Sequence, residues 1–224
     1  MNPLNGEDFI TASVQLRSTI SYASYHNHVP VVSSLTVHNY SNASKAQVQI
    51  IFQGPALLHD FVLRLEGLEP YESRRFDIVD LPLSHQYLSQ LGEAEHSHLI
   101  VTVTVGDVEV ARDSYAIEIL AYDQWAGIRE LPELLAAFST PNHPAIDPLL
   151  SRAGAVLASQ GRGGGIAGYQ TGNREDVWYQ ISAIYNVIMA EQLVYSAPPA
   201  SFGTEGQKIR LADRIFSGRV STCL

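Results

Sequence analysis

The chain has 224 residues, of which 46% are hydrophobic and 17% charged, a balance that suits a folded globular protein and argues against disorder. Its formal net charge of −9 repels phosphate backbones and anionic lipid on average, so direct nucleic-acid binding is disfavoured. The length fits one large or two ordinary domains, and the single cysteine excludes an internal disulfide.

No apolar run approaches the ~20 residues of a membrane span. The opening MNPLNGEDF lacks the basic and apolar regions of a signal peptide. A cytoplasmic protein without membrane contact is the expectation.

From residue 9 to 122 the hydrophobic period is two and turns are frequent. Val101, Val103 and Val105 alternate with Thr102 and Thr104, Gly106-Asp107 makes a turn, Val108 and Val110 resume, and Tyr115, Ile117 and Ile119 alternate with Ala116, Glu118 and Leu120. Such alternation marks half-buried antiparallel strands. Earlier strands are expected at 12–16, 19–23, 31–39, 46–53, 61–66 and 74–79, with a short helix over 84–91 that Ser84 can cap. About seven short strands at this spacing predict an antiparallel β-sandwich of immunoglobulin-like character, without the two-cysteine and tryptophan signature of antibody domains. The fold class expected is α+β in two domains: the sandwich over 1–123 and a small, mostly helical domain over 124–224.

After Trp125 the period becomes helical. Leu131, Leu134, Leu135 and Phe138 share one face, and TPNHP at 140–144 breaks it. Asp147-Pro148 reads as a capping acid and a proline at the first helical position, opening a helix that buries Leu149, Leu150, Ala153, Val156 and Leu157 and ends at Gly161. The glycine-rich 161–168 reads as a flexible loop. Asn173, with Asp176 three residues on, opens the best helix of the chain, and Val177, Ile181, Ile184, Tyr185, Ile188 and Leu193 mark its expected buried stripe. An amphipathic segment closes the chain, with Ile209, Leu211, Ile215 and Phe216 against Arg210, Asp213, Arg214 and Arg219.

Gly163, Gly165 and Gly168 spell a dinucleotide fingerprint, but a helix precedes them where the fingerprint needs a strand, so a plain loop is the reading. His26-x-His28 and His96-x-His98 place paired imidazoles on one side of an extended chain, as zinc ligands can be. Both pairs lie beside predicted turns, so solvated loop histidines are expected. His143 is read as orienting its turn, and Trp125 and Trp178 as core or junction anchors. No cofactor and no metal is expected.

Cys223 follows Ser221-Thr222, which could cap a helix, and a helix N-terminus lowers a thiol's pKa and makes it nucleophilic. The stretch from Val177 to Cys223, with VWYQISAIYNVIMAEQLVYS and ADRIFSGRVSTC, resembles the first half of a transglutaminase-like domain, the papain-related fold that uses Cys, His and Asp. Ser221 stands where that family commonly has glycine. The words TPNHPA, YQTGN, PPASF and GQKIR resemble the N-terminal region of large bacterial multidomain proteins that carry a superfamily I helicase core. The resemblance implies a fragment: a non-catalytic interaction or regulatory region whose partners are other domains of its parent or another protein, with DNA reached only through that parent. The alternative it implies is acyl transfer or amide hydrolysis in a longer parent, with Cys223 attacking and its base and orienting acid following in the chain.

Overall fold

The computed structural model describes residues 10–197 and 206–222. It is a mixed α+β structure with several sheets, and it divides into two units, Met1–Leu134 and Leu135–Leu224.

The sheets of the first unit are made by β1 (Ile10–Leu16), β2 (Thr19–Ile20), β3 (Val32–Asn39), β4 (Lys45–Gln53), β5 (Phe61–Leu68), β6 (Ser73–Phe76), β7 (Glu95–Val105) and β8 (Val108–Ile119). One sheet has three strands in the order β1-β3-β6, and the other has five in the order β2-β8-β7-β4-β5. Neighbours are antiparallel except β2, which runs parallel to β8. Alternation explains the packing: Val48, Ile50 and Phe52 on β4 are fully buried, as are Leu35 and Val37 on β3. Both sheets contribute to one apolar core.

The chain passes between the sheets five times on its way to β7. After β1 it switches at Arg17-Ser18, where Arg17 N–H donates to the Val31 carbonyl and Glu118 N–H to the Ser18 carbonyl. The passages from β3 to β4 and from β5 to β6 are held by one buried amide. Asn39 Nδ2 donates to the Ala43 and Glu69 carbonyls at 2.9 Å each and to Leu68 at 3.4 Å, while its Oδ1 accepts from Ser41 N–H and from the Ser41 hydroxyl. Each crossing strips carbonyls from a ladder, and a buried carbonyl without a donor is costly.

Two short helices lie between strands. Helix α1 (Tyr22–His26) replaces the end of the strand expected over 19–23, because Ser21 and Ser24 form a reciprocal capping box, each side chain accepting from the other's N–H at 3.0 Å. Helix α2 (His85–Gln90) starts after Ser84, whose hydroxyl accepts from Tyr87 N–H. Tyr87 hydroxyl donates to Glu95, tying α2 to the start of β7.

In the second unit, α3 (Asp147–Ser159) packs on α4 (Arg174–Ala190), and α5 (Ala212–Gly218) follows. The N-cap of α3 is Ile146, so Asp147 lies inside the first turn and does not cap as the sequence suggested. Asn173 does cap α4, accepting from Glu175 N–H at 2.9 Å. The expected buried stripe of α4 holds in part: Val177, Ile184, Ile188 and Leu193 are half-buried, but the fully buried positions are Gln180, Ala183 and Val187, and Ile181 and Tyr185 are exposed. Residues 132–138 form a 3-10 helix with no buried side chain, not the packed amphipathic face expected. Leu131 before it sits at φ 47, and Pro132 brings no N–H.

The glycine-rich loop lies against the helices. A Cβ on Gly154 would stand 2.5 Å from the Gly164 carbonyl oxygen, Gly168 N–H donates to Gln180 Oε1 at 2.7 Å, and Arg162 lies 3.1 Å over the Tyr179 ring. The loop expected over 161–168 is present and largely exposed, and it touches the helices at Gly164 and Gly168, where backbone-to-backbone approach at Gly154 is what the small residue allows.

These contacts generate three expected outcomes. Asn39→Ala leaves buried carbonyls on both crossings without donors and lowers stability by about 3 kcal/mol in urea unfolding. Gly154→Ala drives its methyl into a backbone oxygen and costs about 1–3 kcal/mol in the same measurement. The hydrogen bond to Glu95, with partial burial, pushes the Tyr87 phenol up to about 12. Since folding raises that pKa, the stabilisation it represents is whole below pH 10 and is lost as pH climbs toward 12. An ultraviolet phenolate titration should show this late tyrosine, and Glu95→Gln should bring it down.

Candidate functional site

A pocket of about 610 Å³ opens in the first unit between α1 with its following turn and the segment that leads from β6 into α2. The capping box fixes α1, so Tyr25 and His26 project from its last turn. Asn27 closes the helix with Nδ2 donating to the Ala23 carbonyl, and His28 follows at φ 53 with its N–H donating to the Tyr25 carbonyl. That turn carries the chain into Val29 and Pro30. On the facing side, Val79 N–H donates to the Val32 carbonyl and Ser84 N–H to the Leu57 carbonyl. These bonds hold residues 78–85 against the core, with Val31 and Leu81 buried at the pocket wall.

The polar side chains gathered there come from distant parts of the sequence. Tyr25, His26, His28, Asp80 and His85 line the pocket, and no Lys or Arg is among the lining residues. The rings meet edge to face. His26 and His85 centroids are 5.6 Å apart at 79°, Tyr25 lies 5.8 Å from His26 and 6.1 Å from His85, and Tyr22 lies 4.4 Å from His26. Tyr22 hydroxyl and His85 Nε2 share a hydrogen bond at 3.3 Å. Volumes of this size, with apolar walls and a few convergent polar groups, are those of small-ligand sites. Among the described residues, no group of three or more His, Cys, Asp or Glu is arranged to hold a metal ion.

His26 and His28 are both exposed, as expected of solvated histidines, but His26 also meets the Tyr22, Tyr25 and His85 rings, and His28 lines the same pocket. Sequence reasoning missed His85. The available signal was Ser84, whose cap fixes His85 as the first residue of α2. His96 and His98 are exposed, but they stand on β7 opposite Glu118 and Ala116, not in a loop.

His143 Nδ1 accepts from Ala145 N–H at 3.1 Å within its own turn, and its Nε2 lies 3.8 Å from Asp213 Oδ1. Gly163, Gly165 and Gly168 follow α3, with no strand leading into them. Arg210 donates to the Val220 carbonyl, and Arg214 lies 3.9 Å from Asp213. Cys223 lies outside the described residues. The approach to it, Val220–Ser221, pairs in parallel with Val194–Tyr195.

A second feature lies on α4. Trp178, Ile181, Tyr185 and Met189 recur at helical spacing and are all exposed, Trp178 at 67%, and Val194 and Tyr195 beyond the helix are exposed as well. Trp178 is thus no core anchor, whereas Trp125, at 6% exposure, is buried. No helix among the described residues is long and apolar enough to cross a membrane. No protein-family model matches the chain, and no curated protein matches it.

Proposed function

We propose that this chain is a non-catalytic interaction and regulatory region of a large bacterial helicase-related protein, and that α4 is its docking element. The observation that carries the reading is the outward apolar stripe Trp178, Ile181, Tyr185 and Met189 on the side of α4 away from its buried Ala183 and Val187. Exposed contiguous apolar surface marks an interaction site. The occupant is polypeptide of the same parent: the part of the transglutaminase-like domain that the resemblance puts after Cys223 and that carries the histidine and aspartate.

The first unit takes an immunoglobulin-like part in this reading. Support comes from a first strand that pairs with β3 as β1 and then joins the opposite sheet as β2, parallel to the last strand β8. Acyl transfer or amide hydrolysis through Cys223 would use the same architecture, with the thiol as nucleophile once its base and orienting acid are supplied.

Trp178 reports directly on docking, because the other tryptophan is buried. In the 224-residue chain acrylamide should quench Trp178 freely, and Trp178→Phe should remove most of that quenching. Extending the reading frame by roughly one domain, about 100 residues, should shield Trp178 and shift its emission to the blue. Ile181→Glu should change the short chain's stability by no more than about 0.5 kcal/mol and destabilise the extended one. Equal quenching in both chains sinks the reading.

A further inference from the structure

The geometry points to the pocket of the first unit as a binding site for a small organic ammonium, an alkylated amine whose charge sits among rings and opposite a carboxylate. Three observations converge. The lining offers the Tyr25 ring, whose face attracts a cation within about 6 Å, and beside it the imidazoles of His26, His28 and His85, whose neutral forms can accept a hydrogen bond from an ammonium N–H. Asp80 supplies the anionic group of the lining, which contains no Lys or Arg to oppose a positive guest. Val29, Pro30 and Leu81 complete the wall, so alkyl groups on the nitrogen can leave water while the charge is retained.

The field of the unit favours the same sign. Met1–Leu134 contains 17 Asp and Glu against seven Lys and Arg. A cation is drawn toward such a surface and an anion repelled. The edge-to-face contacts hold the rings apart instead of stacking them flat, and the bond from Tyr22 to His85 fixes the ring at the entrance of α2. A bare metal ion fits poorly because the described residues group no three ligands around one point. This inference is independent of docking at α4.

The test uses the full 224-residue chain with ¹⁵N-labelled histidines and choline as the probe. Its neutral isostere 3,3-dimethylbutanol and inorganic phosphate serve as comparisons. Choline should move the ring signals of His26, His28 and His85 saturably and leave those of His38, His96, His98 and His143 in place. The isostere should bind about tenfold more weakly, since it keeps the shape and loses the charge. Asp80 is exposed, so Asp80→Asn should fold normally and weaken choline about tenfold. Tyr25→Leu gives a second reading through the ring. The proposal is overturned by equal affinity for the isostere, by phosphate moving the three histidines in place of choline, or by no shift with choline at about 50 mM.

Discussion

The first unit depends on a single buried carboxamide. Asn39 is fully buried at the end of β3, where the chain leaves the three-stranded sheet, and its amide also reaches the carbonyls at which β5 leaves the five-stranded one. An amide has two donors and an acceptor with two lone pairs, and here nearly all are used. A carboxylate of the same shape has no donor, and an aliphatic side chain has neither donor nor acceptor. The neighbouring bonds are consistent with a locked corner: Asn39 N–H donates to the Glu72 carbonyl, Tyr71 N–H to Ser41, and Glu69 N–H to Glu72. Because two passages are fixed at one point, the sheets meet in one register. Phe52, Leu35 and Ile50 can then share a core.

Much of this was legible in the sequence, because period two survives wherever one face is buried. The strands at 95–105 and 108–119 follow from the valine and isoleucine alternation, and Ser84 announced α2. The first short helix was not legible, since Thr19 to Ala23 alternates like a strand and only the Ser21 and Ser24 pair distinguishes a capped turn. The pocket was illegible for a topological reason. His26 and His85 are neighbours only after β3, β4, β5 and β6 have returned the chain to the same end of the sheets, and no local pattern encodes that return.

The partly displaced stripe of α4 exposes a different failure. Hydrophobicity alone ranks Ile181 and Tyr185 above Ala183, so a helical wheel buries the larger side chains. Size decides otherwise, because Ala153, Gly154 and Ala183 are buried and the Gly164 carbonyl presses on Gly154. Small residues along the seam let backbones approach closely, and Leu149, Leu157 and Val187 fill the space beside them, leaving Ile181 and Tyr185 on the far side. Gln180 sits in the same seam because its side chain has a backbone donor, Gly168 N–H, to accept from. A buried polar group is tolerated where its partner is fixed.

That seam has an energetic consequence for the second unit. Among the described residues its core cluster holds five buried apolar side chains, two of them alanines, whereas the core of the first holds 23. Apolar burial is the dominant favourable term in folding, and alanine contributes little of it. The side chains that would contribute most, Trp178, Ile181, Tyr185 and Met189, remain in water on the far side of α4. Salt bridges such as Arg162 to Glu175 at 3.3 Å are surface pairs of small worth and cannot replace that area. Covering those four side chains would add apolar burial that the seam lacks, which is the physical argument for the proposed polypeptide partner at that face.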